Sequence, residues 1–177
     1  MRISNKKVAL GGLFGAITLL LGFTYLGYIP IPTPAGAATI MHIPVIISGL
    51  LLGVRFGAIT GTIFGLSALY YFSSIAPPWV LFPARPLIGV VSAVVYRIML
   101  KFFEKRSSTY LKLISLAVAS FLGSMTNTIG TLGLAVIFKV YTLPVVLSIL
   151  PQGIVEAILA VVISIPIVLA LEKRIKV

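Results

Sequence analysis

The sequence predicts an all-α membrane protein, six transmembrane helices in one bundle with both termini cytoplasmic, on three observations. Of 177 residues, 59% are hydrophobic and only 10% charged, with a mean hydropathy of +1.17. So few polar side chains cannot cover the surface of a soluble domain. The apolar residues fall into runs of about 18 to 25, the length that crosses a hydrocarbon core roughly 30 Å thick at 1.5 Å per residue. Basic residues gather at alternate breaks between those runs, which sets orientation.

The first run, about Val8 to Tyr28, follows Arg2, Lys6 and Lys7. That is the charge order of a secretory signal, but the run is long enough to span and no separate cleavable unit is evident, so it reads as the first helix. The second covers about Gly36 to Gly53 and the third about Phe56 to Ile75, with Arg55 between them. The fourth, about Trp79 to Leu100, opens on Phe82-Pro83-Ala84-Arg85-Pro86, where two prolines can irregularise a helix start. The fifth covers about Leu113 to Phe138; Arg97, Lys101, Lys105, Arg106 and Lys112 surround the connection before it. The sixth covers about Ile149 to Leu171 and leads into Lys173, Arg174 and Lys176.

With six spans these twelve basic residues all fall on one side, and the positive-inside rule makes that side cytoplasmic. Five or seven spans would split the clusters. The remaining connections, Ile29 to Ala35, Ser73 to Pro78 and Lys139 to Ser148, carry Pro, Tyr, Ser and the single Lys139, as outward-facing loops should. No long linker, low-complexity tract or internal repeat divides the chain, so residues 1–177 read as one domain.

Small residues at four-residue spacing mark close helix contacts, because helices in lipid associate through close backbone approach. Gly57, Gly61 and Gly65 form such a stripe on the third helix and are expected to pack inside the bundle. Gly11 with Gly15, and Gly12 with Ala16, form pairs near the cytoplasmic end of the first, where an external partner competes with internal packing.

Composition excludes several chemistries. The chain has no Cys, no Asp and a single His, which rules out disulfides and thiol chemistry and leaves no cluster of metal ligands. Neither a metal nor a cofactor is expected. The net charge of +11 sits at the ends of apolar runs, facing lipid headgroups, so nucleic acid is not an expected partner. No phosphate-binding loop, His-Glu-x-x-His or Gly-x-Ser-x-Gly motif or carboxylate dyad is present. Energised transport would therefore need another subunit or an ion gradient.

What remains is polarity inside the apolar runs. Counting from the outer end of each helix puts Arg85 and His42 roughly 9 Å deep and Glu156 roughly 10 Å deep. Gln152 is shallower and Asn127 lies near the middle of its helix. Polar groups within lipid must be satisfied by protein or water, so this shared depth points to an interior cavity open outwards. The Arg85 guanidinium can clamp a carboxylate, or pair structurally with Glu156. Asn127 and Gln152 suit ligand hydroxyls or amides as well as helix-to-helix hydrogen bonds. His42 reads as either packed core or a contact. Tyr70, Tyr71, Phe72 and Trp79 fit an aromatic belt or a cavity entrance.

Taken together, the segments Ile40 to Ile47, Leu50 to Gly53, Gly57 to Gly61, Phe64 to Ser67 and Pro83 to Gly89, then Thr126-Asn127-Thr128 and Gln152 to Ala157, resemble the substrate-binding S components of energy-coupling factor (ECF) vitamin transporters. The resemblance covers nearly the whole chain, and around Arg85, Asn127 and Gly153 to Glu156 it is nearest the pantothenate-type group. It implies a six-helix binding protein of a prokaryotic cell membrane that captures a vitamin from outside. The vitamin then enters through a complex with a membrane T subunit and two cytosolic ATPases. It also implies substrate contacts from Arg85, Asn127, Gln152, Glu156 and His42, and docking through small residues of the first helix, here Gly11, Gly12, Gly15 and Ala16. Riboflavin is the rival substrate, through the outer aromatics. A different class, an intramembrane enzyme acting on lipid headgroups, would have to rely on Arg85, Glu156 and His42. A purely structural subunit would leave the polar cavity unexplained.

Overall fold

The structure, a computed structural model, describes residues 4–24, 26–30, 32, 37–74, 76–104 and 108–175, without the side chains of Tyr71, Arg174 and Ile175. Arg2, Lys105, Arg106 and Lys176 of the orientation argument, and Gly36 and Ile75 at expected helix ends, lie outside the described residues. The chain is helical almost throughout: α1 (Asn5–Phe23), α2 (His42–Leu52), α3 (Val54–Phe72), α4 (Pro78–Leu81), α5 (Ala84–Phe102), α6 (Thr109–Ile137) and α7 (Leu143–Ile175). One short antiparallel pair, β1 (Tyr28–Pro30) with β2 (Ala37–Thr39), joins α1 to α2 in the register Tyr28 to Thr39, Ile29 to Ala38 and Pro30 to Ala37. Helices prevail because every backbone group in an apolar surround needs an internal partner.

The expected second helix is shortened most. Hydropathy alone carried it back to residue 36, but α2 begins only at His42, just before Pro44, which a helix accepts in its first turn. The apolar residues ahead of it form β2 instead. Likewise Tyr28, expected at the end of the first helix, belongs to β1, and α1 stops at Phe23. The first-helix reading ran on because Leu26 and Tyr28 continue the apolar run, whereas the Gly27 amide bonds back to the Leu21 carbonyl and turns the chain.

The last helix departs in the other direction. It starts at Leu143, six residues before the expected Ile149, so the predicted outer loop shrinks to residues 138–142. Pro144 sits in its first turn and Pro151 inside it. Prolines read as breaks in a soluble sequence, yet helices in apolar surroundings retain them. The fourth expected helix is broken where its prolines lie: α4 ends at Leu81, and α5 restarts at Ala84 with Pro86 in its first turn.

By length and apolarity, α1, the segment Pro78–Phe102, α6 and Leu143–Lys173 each suffice to cross a membrane, while His42–Leu52 and Val54–Tyr70 are shorter apolar helices. At about 16 Å, α2 is too short to cross alone, and it is apolar on every side. Accordingly it forms the centre of the bundle, buried at every position except Leu51 and packed against α1, α3, α5, α6 and α7.

Glycines bring α2, α3 and α5 together. A Cβ on Gly57 would lie 2.7 Å from the Gly89 carbonyl oxygen, one on Gly49 would meet the same oxygen, and one on Gly61 would meet the Arg85 carbonyl. Gly65 faces the Phe82 ring. The stripe Gly57, Gly61, Gly65 is therefore internal, as expected, and it fixes where α5 begins. Gly53, with φ +94°, is the one residue linking α2 to α3, a backbone conformation that favours glycine.

Contacts separate the two ends of the bundle. Gly11 meets Phe56, Gly53 lies beside the Arg97 guanidinium, and Lys112 pairs with Glu172 at 2.6 Å, so the described basic helix ends gather together. At the opposite end Phe23 packs on Tyr70, and the β1–β2 hairpin closes over α7.

Candidate ligand cavity

Beneath the hairpin, at the end away from the basic residues, α3, α4, α5, α6 and α7 enclose a cavity. It offers about 130 Å³ in which the centre of a water molecule can move. On the scale of buried waters this is room for several. A wider groove of about 420 Å³ runs along the outside of α6 and α7, but its lining, including Phe121, Leu122, Ile158 and Val162, is wholly apolar and cannot orient a polar ligand. Convergent polar groups in an apolar wall distinguish the first.

Arg85 enters from the first turn of α5, set in depth by the close approach of Gly61 to its carbonyl. Its Nη1 donates to Thr131 Oγ1 at 3.1 Å, its guanidinium carbon lies 5.5 Å from the centre of the Phe64 ring, and its buried Nε has no partner among the described residues. The side chain is 6% exposed. The expected alternative, an ion pair with Glu156, is not formed: both line the cavity, but the Glu156 carboxylate is engaged elsewhere. A buried cation held by one neutral hydroxyl and an aromatic face lacks the anion that would compensate it.

Glu156 and Gln152 lie one helical turn apart on the same face of α7. Glu156 Oε1 accepts from the Thr39 backbone N–H at 2.9 Å and from Gln152 Nε2 at 3.1 Å. The same Gln152 nitrogen donates to the Ala37 carbonyl at 2.9 Å. These bonds pin β2 to α7 and roof the cavity. Asn127, on α6, lines it with a buried Oδ1 that has no partner among the described residues. Gly153 allows α7 to press against the Thr128 side chain. At the mouth, burial raises the Tyr141 phenol above its ordinary pKa, so it stays a neutral hydroxyl.

Four of the five expected contact residues, Arg85, Asn127, Gln152 and Glu156, thus meet in one cavity. His42 does not. It opens α2, is 1% exposed, and holds Ser124 Oγ at 3.1 Å through Nε2 behind the cavity wall. Of the trio Arg85, Glu156 and His42 that an enzyme would require, His42 reaches the Glu156 backbone but does not line the cavity, and no group of three His, Cys, Asp or Glu that could hold a metal ion is found among the described residues.

The aromatic set divides. Phe72 lines the cavity, edge-on to Tyr28 at 5.1 Å, whereas Tyr70 and Trp79 are exposed, as belt residues would be; the Tyr71 side chain lies outside the described residues. The small residues of α1 divide too. Gly11 faces Phe56 and Gly15 faces Ile63, so this pair packs internally against α3; Gly12 and Ala16 are exposed, with nothing within 4 Å of a Cβ on Gly12.

Sequence reasoning missed Thr131, Thr39, Phe64 and Tyr141. Thr131 carried a signal, since it follows Asn127 by one turn and a buried Arg needs an acceptor. Thr126, quoted with Asn127, points away and donates to its own helix at the Leu122 carbonyl.

Comparison with known proteins gives three similarities. Residues 6–168 match the family described as ECF transporter, substrate-specific component. The chain is 32% identical over 163 residues, 76% of its own length and 78% of the relative's, to "Pantothenic acid transporter PanT" of Lactococcus lactis subsp. cremoris (strain MG1363). Its fold is similar, at a TM-score of 0.67 and 19% identity over 98% of this chain and 99% of the other, to a solved structure described as "Structure and mechanism of the S component of a bacterial ECF transporter".

Proposed function

The chain belongs to the substrate-specific components of ECF transporters, and on that premise we propose that it captures pantothenate outside the cell for import. It is a membrane-embedded transporter component and not an enzyme. The observation that carries the substrate is Arg85, a buried cation lining the cavity with no carboxylate of its own. Pantothenate supplies the missing anion, and its hydroxyl and amide groups match Asn127, Gln152 and Glu156. The similarity to a pantothenic acid transporter supports the same choice. Of the outer aromatics on which riboflavin would rely, Phe72 lines the cavity, whereas Tyr70 and Trp79 are exposed on the outside of the bundle.

In this reading residues 1–177 act as one unit of six membrane segments, α4 and α5 counting as one, in the plasma membrane of a prokaryote. Both termini are cytoplasmic and the cavity opens outwards, opposite the basic helix ends. Its partners are a membrane T subunit and two cytosolic ATPases. The T subunit docks on the Gly12 and Ala16 face of α1, whose neighbours Leu13, Ile17 and Leu20 are exposed.

The test is Arg85→Ala. Loss of a charge-assisted contact in a desolvated site should weaken pantothenate binding by ~2 kcal/mol or more, about 30-fold. The melting temperature should not fall, since no carboxylate is stranded. Unchanged affinity removes Arg85 from the site. Mass spectrometry of the small molecule released on denaturing the purified protein identifies the ligand directly.

A further inference from the structure

We infer that Glu156 selects ligands by charge: it admits a monoanion whose far end is a neutral hydrogen-bond donor and rejects the same molecule once that end is phosphorylated. The inference rests on the pantothenate reading and goes beyond it. The described cavity lining holds one cation, Arg85, and one carboxylate, Glu156, on different helices and not paired with each other; its other polar side chains are Thr, Asn, Gln and Tyr. A carboxylate bound at Arg85 uses the only positive charge available there. The group at the other end of the ligand then faces Glu156.

Glu156 cannot turn aside. Its Oε1 is held by the Thr39 backbone amide, itself fixed by the β1–β2 pairing, and by a Gln152 nitrogen also tied to the Ala37 carbonyl. Two N–H donors converging on one oxygen match a carboxylate's acceptor capacity and leave Oε2 for a donor on the ligand. A hydroxyl or amide N–H satisfies it. A phosphate brings like charge against a fixed carboxylate in a weakly screening site, and the described lining offers no second cation to offset it. Specificity of this kind comes from repulsion, so a single isosteric change should relax it.

The experiment titrates pantothenate and the phosphate ester of its terminal hydroxyl against the whole protein in detergent, wild type and Glu156→Gln. The variant keeps an oxygen for the Thr39 amide. The ester is expected to bind the wild type at least ~100-fold more weakly than pantothenate, and Glu156→Gln to narrow that ratio by ~10-fold or more. An ester bound by the wild type within ~3-fold of pantothenate overturns the inference, as does an unchanged ratio in a variant that still binds pantothenate. The wild-type comparison decides even where the variant fails to fold. Pantothenate failing to bind the wild type would sink the function proposed above; pantothenate and ester binding alike sinks only the charge selection.

Discussion

Replacing Gly61 by alanine tests whether the glycine stripe of α3 positions the Arg85 guanidinium in the cavity. An ideal Cβ there lies 2.8 Å from the Pro86 Cα and closer still to the Arg85 carbonyl oxygen. Carbon atoms in contact sit ~3.5 to 4.0 Å apart, so α5 must retreat by roughly 1 Å. Both obstructing groups are backbone in the first turn of α5, and neither can swing away as a side chain would. Overpacking of this kind costs ~1 to 3 kcal/mol. The same displacement moves the start of α5 relative to Thr131 on α6 and disturbs the geometry of the 3.1 Å bond that Arg85 donates to it. Pantothenate affinity should therefore fall ~10-fold, about 1.4 kcal/mol, together with a lower melting temperature. Titration and thermal unfolding in detergent measure both, with Gly12→Ala, whose Cβ meets nothing within 4 Å, as the control. The reasoning fails if Gly61→Ala matches the wild type in both measurements, or if Gly12→Ala loses as much.

Thr131→Val keeps the shape of the side chain but removes the acceptor for Arg85 Nη1; loss of a hydrogen bond to a charged group should weaken pantothenate binding ~10-fold. Unchanged affinity would show that Arg85 needs no tether. Ala16→Leu, on the exposed face of α1, should abolish uptake by the assembled transporter while leaving ligand binding to the isolated protein intact. Gly15→Leu, directed at Ile63 on α3, should also lower the melting temperature; normal transport by Ala16→Leu would move the docking face elsewhere.

Hydropathy and charge by themselves determined the membrane class, the helical architecture and the basic end of the bundle, because a polar backbone in lipid leaves few choices and a basic side chain resists burial. They also determined that Arg85, Asn127, Gln152 and Glu156 lie toward one end, since depth follows from residue count at a fixed rise per residue. Rotation about each helix axis is not fixed by count. Only packing could decide that His42 faces Ser124 and not the cavity, that Gly15 packs on α3 while Ala16 remains exposed, and that Glu156 binds the Thr39 amide in place of Arg85. The hairpin of Tyr28–Pro30 with Ala37–Thr39 was hidden for a related reason: its strands are only three residues long, and their conformation depends on pairing with each other and on the bonds that Gln152 and Glu156 make to them across more than a hundred residues.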